Sequence, residues 1–357
     1  MSLQKYSTLL FQGFNRVVWS AAVAAVGNVG VVLFVVAFLL LGGGALGALL
    51  GYTLGYGVAT AAGLSILYLK FYSEYDAAAV PESDLSRRIL EYSVPLTATR
   101  GANVLDKRID TVLVGFFLTS SAVGFYTLGK QITEFVIAPA SSLGFAVSPA
   151  LGERKASDDM ARAASLYEST LTYTLAFYAP AAAGLFIVAE PAIRYVVGPD
   201  YLGAVPVLQV FSVYVLLRAI DKITSDGLDY LGRARARAIV KGATSAGNFA
   251  LNLVLIPAIG VAGAAIATVI TYGAMVAIEL LLVYLELGVS IARLARASAL
   301  AGVVTAGIAL TVAPLTPFIS GVPSLTGVIG VGVGVWVVLT VTTGLVDVGQ
   351  FRSALPT

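Results

Sequence analysis

Charged side chains recur within three otherwise apolar segments of this sequence. The charges are Arg100, Asp106, Lys107 and Asp110 in the first segment, Lys130 and Glu134 in the second, and Arg218, Asp221 and Lys222 in the third. Guanidinium and ammonium groups bind phosphates and carboxylates, whereas carboxylates bind cations and protons. A charge at the centre of a membrane helix costs about 2.5–3.5 kcal/mol, so these side chains need a polar interior, a partner or an interfacial position.

The spacing of these charges indicates shared helix faces. At about 100° per residue, Arg100, Asp106, Lys107 and Asp110 fall within an arc of about 120°, and Arg108 points elsewhere. Arg218, Asp221 and Lys222 share an arc of about 140° with Asp226 and Asp229. We expect the three polar faces to line one cavity. Structural ion pairing is the alternative, and Lys130 with Glu134 has the i,i+4 spacing of such a pair.

Three further carboxylates admit simpler interpretations. Glu279 is alone in an apolar segment. It is either a protonatable coupling site or a neutral buried side chain hydrogen-bonded to a neighbour. Asp226 and Asp229 precede a basic stretch and are expected to be interfacial.

The composition identifies an integral membrane protein. Of 357 residues, 12% are charged and 58% are hydrophobic, and the mean hydropathy is +0.89. A soluble domain of this size has about 25% charged residues. Histidine and cysteine do not occur, so thiol catalysis, zinc sites built on these ligands and Ser-His-Asp triads are excluded. The net charge of +2 does not indicate a nucleic-acid partner.

The apolar segments predict ten membrane helices and an all-α polytopic bundle. No charge occurs in the 53 residues between Arg16 and Lys70. As one helix, at about 1.5 Å per residue, this stretch would be much longer than the thickness of a hydrocarbon core, about 30 Å. It is therefore expected to fold back near Gly42–Gly44. The predicted spans are 17–41, 45–69, 92–118, 123–150, 165–189, 203–231, 239–257, 261–286, 297–319 and 323–345. The glycines after residue 43 are expected to let helices pack closely.

The distribution of basic residues tests this count. With ten spans, 15 Lys and Arg residues fall on one side and only Arg194 on the other. Because basic residues accumulate on the cytoplasmic side, both termini are predicted to be cytoplasmic. The longest outer loop, 190–202, is expected to be a short interfacial segment ended by a Gly198-Pro199 turn. No loop has room for a soluble catalytic domain.

Two stretches of the chain resemble the O-antigen-type flippases of polysaccharide biosynthesis, in the multidrug/oligosaccharidyl-lipid/polysaccharide (MOP) exporter superfamily. The first reads LDKRIDTVLVGFFLTSSAVGFYTLGKQITEFVIAPASSLGFAVSPALGE and carries Asp110, Gly115, Gly124, Tyr126 and Pro149. The later stretch comprises the basic turn LGRARARA and NFALNLVLIPAIGVAGAAIAT, with Asn248, Asn252, Pro257, Gly260 and Gly263. The order and spacing of these elements carry the resemblance, which extends over about residues 92–345.

The resemblance implies a MATE-like transporter with an incomplete N-terminal lobe, lacking about the first four helices of the family. Residues 1–75 would be the remnant of that lobe, 76–91 a cytoplasmic linker, 92–286 the C-terminal lobe, and 287–357 two additional helices with a short cytoplasmic tail. A truncated gene, a mis-assigned start, a fragment and a short homologue that pairs with another chain are possible explanations.

The resemblance also implies an activity, namely the flipping of a lipid-linked oligosaccharide from the cytoplasmic to the outer leaflet of the plasma membrane by alternating access. Arg100, Lys107, Lys130, Arg218 and Lys222 would contact the phosphate or pyrophosphate of a polyprenyl-type carrier. Asp106, Asp110, Glu134 and Asp221 would balance charge or couple Na⁺ or H⁺ movement. No cofactor or metal is expected, and the partners are the lipid-linked sugar and membrane lipids.

Three alternatives remain open at this stage. A multidrug/cation antiporter of the same superfamily would have a less basic cavity. A polytopic glycan polymerase or ligase would need a larger outer loop than 190–202 provides. A scaffold or non-catalytic subunit is the third alternative.

Overall fold

The computed structural model of the chain describes residues 2–13, 16–72, 108–157 and 159–345, together with positions 84, 87, 90, 91 and 93. The described elements are helices. They are α1 (Ser2–Gly13), α2 (Val17–Leu40), α3 (Gly44–Leu67), α4 (108–117), α5 (Ser120–Ala156), α6 (Met160–Ala192), α7 (Val205–Tyr230), α8 (Ala234–Ile259), α9 (Val261–Leu287), α10 (Ile291–Val312) and α11 (Val322–Thr342). The chain divides into two compact units, residues 1–95 and 96–357.

Nine helices in the described part of the chain are long and apolar enough to cross a membrane. They correspond to nine of the ten predicted spans. Of the remaining predicted span, 92–118, the structure describes a helix over 108–117. The all-α membrane fold is therefore confirmed, and the chain is a multi-pass membrane protein.

The first unit contains a hairpin whose helices approach closely because one of them presents small residues. The buried positions of α3 recur every four residues, at Gly47, Gly51, Gly55, Ala59 and Gly63. A side-chain carbon added at Gly51 would lie 2.5 Å from the backbone nitrogen of Val35 on α2. The predicted role in close packing is confirmed at Gly47, Gly51 and Gly55, where an added side-chain carbon would meet α2, whereas Gly44 and Gly57 have open space at that position.

The hairpin turn lies where the sequence predicts it. Leu40 ends α2, and Gly42 adopts φ +79°, a left-handed conformation that other residues adopt at a cost. Gly44 then begins α3.

In the second unit, α7 is the central helix and packs against α5, α6 and α9. Its apolar side chains Phe211, Val215, Ala219 and Ile223 recur every four residues and are buried. α7 also carries the polar residues Arg218, Asp221 and Lys222, so the same helix contributes both to the apolar core and to a polar surface.

The turns around the second unit are short. The predicted break at Gly198 is present, although helical turns continue through residues Ile193–Val197, so the outer segment is more helical than a loop. Between α8 and α9 a single residue, Gly260 at φ +68°, makes the whole turn. α10 and α11 pack on α6, where the Trp336 indole donates a 2.8 Å hydrogen bond to the Ala176 carbonyl.

A side chain of α6 enters the backbone of α5 beside Pro139. The amide of Ala140 donates to the Tyr178 hydroxyl at 2.9 Å, and that hydroxyl donates to the Val136 carbonyl at 3.2 Å. In a regular helix, the Ala140 amide would bond directly to the Val136 carbonyl. The hydroxyl therefore bridges an opened turn next to a proline, where helices commonly bend.

Candidate functional site

A polar cavity of about 770 Å³ lies within the second unit. Its walls come from five helices, α4, α5, α7, α8 and α9. The charged residues of the lining are Arg108, Asp110, Lys130, Glu134, Arg218, Asp221, Lys222, Asp226, Arg237, Lys241 and Glu279. Among these described lining residues, six are cations and five are carboxylates, so this part of the lining is slightly basic.

Asp110 is the most completely bonded carboxylate of the cavity. Its Oδ2 atom accepts from the Tyr126 hydroxyl at 2.9 Å and from Lys130 Nζ at 3.3 Å, and its Oδ1 accepts from Asn252 Nδ2 at 3.0 Å. The Thr268 hydroxyl lies 3.5 Å from Oδ2. The side chain is only 6% exposed, so these donors replace the water that the charge has lost.

The asparagine pair of α8 connects this network to α9. Asn252 donates to the Asn248 side-chain oxygen at 2.9 Å, and Asn248 donates to the Thr271 hydroxyl at 3.2 Å. The Asn-x3-Asn spacing places both side chains on one face of α8, so the pair joins α4, α8 and α9 through hydrogen bonds.

Arg218 on α7 is held in a fixed orientation. Its Nη2 atom donates to Glu134 Oε1 at 2.7 Å, and its Nη1 donates to the Tyr272 hydroxyl at 3.2 Å. The guanidinium carbon lies 5.9 Å and 5.8 Å from the ring centres of Tyr214 and Tyr272, within reach of a cation–π attraction. Its buried Nε atom has no hydrogen-bond partner among the described residues. The guanidinium is thus held between Glu134 and the two tyrosine rings.

Tyr272 connects the cation to a carboxylate. While its oxygen accepts from Arg218, its hydroxyl proton is donated to Asp221 Oδ2 at 2.6 Å. Glu134, Arg218, Tyr272 and Asp221 therefore form a chain of bonds from α5 through α7 and α9. Such charge-assisted bonds are stronger than neutral ones.

A second arginine lies where α8 begins. Arg237 forms an ion pair with Asp229, its Nη1 lies 3.5 Å from the Ser225 carbonyl, and its Nε lies 3.8 Å from Glu279 Oε1. Glu279 is 1% exposed, and its Oε2 atom has no hydrogen-bond partner in the described part of the chain. Of the two carboxylates, Asp229 receives the closer contact.

Close approach of α5 and α7 brings their charges to one cavity. A side-chain carbon at Gly144 would lie 2.7 Å from the Lys222 carbonyl and 3.1 Å from Asp226 Oδ2. The absence of that carbon lets the α7 face that carries Lys222 lie directly against α5.

The structure brings together seven of the ten residues predicted from the sequence. Asp110, Lys130, Glu134, Arg218, Asp221, Lys222 and Glu279 all line the cavity. Arg100, Asp106 and Lys107 lie outside the described residues. The expected shared cavity is present for every predicted residue that the structure describes.

Two details of the sequence interpretation differ from the structure. The alternative in which Lys130 pairs with Glu134 is wrong, because each reaches a partner on another helix, Asp110 and Arg218 respectively. Arg108 was expected to point away, yet it lines the cavity. Asp226 lines the cavity as well, and its interfacial depth stays a prediction.

Sequence reasoning missed the polar stripe of α8, formed by Arg237, Lys241, Thr244, Ser245 and Asn248. The predicted span began at residue 239, whereas α8 begins at Ala234. The signal was present, since positions 237, 241, 245, 248 and 252 follow helical spacing. Tyr272 and Thr268 were missed because single hydroxyl residues in an apolar helix are not distinctive.

Among the residues that the structure describes, no group of three or more histidine, cysteine, aspartate or glutamate side chains is placed to hold a metal ion. The Arg218 guanidinium lies beside two tyrosine rings and bonds to a tyrosine hydroxyl. Guanidinium and ammonium groups of this kind are suited to binding phosphate.

Two protein families match the chain. Residues 1–153 match the family described as polysaccharide biosynthesis protein, and residues 95–254 match MatE. Together these matches cover residues 1–254.

Curated relatives include two probable flippases and a teichuronic acid biosynthesis protein. A probable low-salt glycan biosynthesis flippase, Agl15 of Haloferax volcanii, is 22% identical over 54% of this chain and 41% of its own length. The teichuronic acid biosynthesis protein TuaB of Bacillus subtilis is 28% identical over 39% of this chain and 28% of its own. The probable flippase AglR of Haloferax volcanii is 26% identical over 48% and 37%. The chain thus spans less than half the length of these relatives.

Solved structures share the fold. The lipid II flippase MurJ in an inward closed conformation superposes with a TM-score of 0.72 at 18% identity, over 95% of this chain and 70% of MurJ. A MATE transporter superposes with a TM-score of 0.50 at 14% identity, over 80% of this chain and 66% of its own. The chain is therefore similar to polysaccharide biosynthesis proteins over residues 1–153 and to MatE proteins over residues 95–254, and it shares the helical fold of MurJ.

Proposed function

We propose that this protein translocates a lipid-linked oligosaccharide or polysaccharide precursor from the cytoplasmic to the outer leaflet of the cell membrane by alternating access. The observation that carries the proposal is the convergence of buried cations and tyrosines on one cavity of about 770 Å³. This volume lies within the range of about 300–1,000 Å³ that is usual for ligand sites. The flippase relatives support the same activity.

In this proposal, Arg218 binds the phosphate or pyrophosphate that joins the sugar to a polyprenyl-type lipid. Glu134 and Tyr272 fix the guanidinium before the ligand arrives, so little side-chain entropy is lost on binding. Lys130 and Lys222 add positive charge at the same cavity. Arg100 and Lys107 are proposed to join them, with Asp106 among the balancing carboxylates.

The sugar would occupy the polar cavity while the lipid tail remains in the bilayer. Hydroxyl and amide groups such as those of Thr244, Ser245 and Asn248 line the wall and offer hydrogen bonds to sugar hydroxyls. Apolar helix surfaces elsewhere can face lipid without cost.

Orientation in the membrane follows from the basic residues. Arg233, Arg235 and Arg237, near the start of α8, fall on the side with 15 Lys and Arg residues. We propose that this side is cytoplasmic, that the membrane is the cell membrane, and that both termini are cytoplasmic.

The domain arrangement is part of the same proposal. Residues 1–75 would be a remnant of the N-terminal lobe, 76–91 a linker, 92–286 the C-terminal lobe, and 287–357 two added helices with a tail. Na⁺ or H⁺ would couple to transport through the carboxylates of the C-terminal lobe.

This protein is proposed to act as a transporter and not as an enzyme. An antiporter of drugs and cations is the second candidate, and the five carboxylates of the cavity are the observation that favours it. The identity of the cargo distinguishes these two candidate functions. A phosphate would bind the cations of the cavity, whereas an organic cation would bind its carboxylates.

The test is flipping in proteoliposomes that contain the full chain and a fluorescent lipid-linked pyrophosphate oligosaccharide. Loss of a hydrogen bond to a charged group costs about 1.5–3 kcal/mol, so Arg218→Gln should slow flipping at least about tenfold. Arg194→Gln is the matched control, because Arg194 pairs with Glu190 outside this cavity and both side chains are largely exposed. Its flipping rate should equal that of the wild type.

Two outcomes would overturn the proposal. One is equal flipping by the wild type and Arg218→Gln. The other is uptake of an organic cation, driven by a proton gradient, in liposomes that do not flip the lipid-linked sugar.

A further inference from the structure

Glu279 is the least satisfied carboxyl of the cavity. It is 1% exposed, it lines the cavity wall, and its buried Oε2 atom has no hydrogen-bond partner among the described residues. A buried carboxylate ordinarily has donors for both oxygens or a close cation. Among the described residues, Arg237 forms an ion pair with it, and this pair is long, at 3.8 Å from Nε to Oε1.

The helices packed on α9 place both carboxylates and cations around this side chain. α7 contributes Asp221, which interacts directly with Glu279, and Asp229. α6 contributes Tyr167, whose hydroxyl is shared with Thr224 at 2.8 Å. α8 contributes Arg237 and Lys241 to the same cavity wall, and the Lys155 ammonium of α5 is bound by Glu286, seven residues further along α9.

Arg237 cannot neutralise all of these carboxylates. Its guanidinium forms its close ion pair with Asp229, and its Nε points toward Glu279 at a longer distance. One cation therefore serves two carboxylates, with Asp221 as a third nearby. Asp221 in turn accepts the Tyr272 hydroxyl at 2.6 Å, which leaves Glu279 with the poorest set of donors.

We propose that Glu279 is a proton-binding site that controls a contact between α8 and α9. A proton from the cavity binds Oε2 and removes the uncompensated negative charge, so the carboxyl becomes neutral and Arg237 stays with Asp229 on α7. When that proton leaves to the cavity, the carboxylate draws the guanidinium toward α9. Arg237 thus exchanges between α7 and α9 with the protonation of one side chain.

This inference rests on the proposed function only for its role in transport, since proton binding itself can be measured without cargo. In the transport cycle, the exchange of Arg237 would couple proton movement to the rearrangement of α8, whose polar stripe lines the cavity. The contact between Arg218 of α7 and Tyr272 of α9 would then respond to the change through Asp221.

The direct test is infrared difference titration of the purified full chain in lipid. A buried protonated carboxyl has a characteristic carbonyl-stretching band, which should rise and fall with pH in the wild type and be absent in Glu279→Gln. Glu190→Gln removes an exposed carboxyl that pairs with Arg194, and it should keep the band. Elution as a single species on gel filtration would show that each variant is folded.

A second measurement tests whether proton binding by Glu279 is coupled to transport. Flipping by the wild type should respond to an imposed pH gradient, whereas flipping by Glu279→Gln should not. A titrating band without flipping would overturn the proposed function and leave the proton site standing. Flipping with a band that persists in Glu279→Gln would overturn the proton site alone.

Discussion

Two buried carboxylates line the same cavity, and their surroundings differ sharply. Asp110 receives bonds from a tyrosine, a lysine and an asparagine, with a threonine hydroxyl at 3.5 Å. Glu279 has an arginine at 3.8 Å and one oxygen without a partner among the described residues. Both are shielded from solvent, at 6% and 1% exposure. Burial alone therefore does not define the role of a charged side chain.

This difference in bonding indicates that Asp110 has a structural role, whereas Glu279 can change its protonation state. The bonds to Asp110 join α4, α5, α8 and α9, so its charge contributes to the folded arrangement of the cavity. Glu279 contributes few bonds, and a change in its protonation costs the fold little. A carboxylate that stays charged, beside one whose charge changes on protonation, is suited to driving a conformational cycle.

Asp110→Asn should have the largest effect. The substitution leaves Lys130 without its carboxylate and places an amide opposite the amide of Asn252, and breaking a buried pair costs about 3–5 kcal/mol. Chemical denaturation in detergent micelles, followed by circular dichroism, measures the change. The double variant Asp110→Asn/Lys130→Met should recover part of the loss, and a stability equal to the wild type in Asp110→Asn would remove the contrast with Glu279.

Asn252→Ala tests the same network from its other end. Asp110 Oδ1 would lose its amide donor in a buried site, at a cost of about 1–3 kcal/mol. The same denaturation assay applies. Asn248→Ala is the matched control one turn earlier on α8, and because Asn248 does not bond to Asp110 it should cost less.

Tyr272→Phe should affect function more than stability. The ring packing is kept, but the hydroxyl that holds Arg218 and donates to Asp221 is lost. We expect about 1–2 kcal/mol of stability loss together with weaker cargo binding, measured as a raised KM for flipping. An unchanged KM would show that Glu134 alone orients Arg218.

Glu279→Gln should have the smallest effect on stability, within about 1 kcal/mol of the wild type, because an amide can occupy the site without requiring a cation. Chemical denaturation of Glu279→Gln and of Asp110→Asn under the same conditions compares the two losses of stability. A loss as large as that of Asp110→Asn would mean that Glu279 is a structural ion-pair partner of Arg237, and the two carboxylates would then have the same role.

Much of the fold was predictable from apolar segment lengths and the distribution of basic residues. The α2–α3 hairpin, the break at Gly198 and nine of the spans follow from these patterns alone. Segment length is set by the thickness of the bilayer, so it can be read without knowing how helices pack.

The pairings within the cavity were not predictable in the same way. Helical spacing placed Lys130 and Glu134 side by side, but each forms its ion pair with another helix. Partners such as Asp110 and Thr268 are 158 residues apart in sequence and meet only through tertiary packing. The role of Tyr272 depends on two bonds from another helix, which no local pattern reveals.

The hydroxyl of Tyr178 within the α5 backbone makes the deformation at Pro139 a property of two helices. To restore a regular turn between Val136 and Ala140, α5 would have to expel a side chain that belongs to α6. The half of α5 that carries Lys130 and Glu134 and the half that carries Lys155 are therefore joined by a segment whose shape α6 controls. A displacement of α6 along its axis would alter the direction of one half of α5 relative to the other without leaving an amide unpaired.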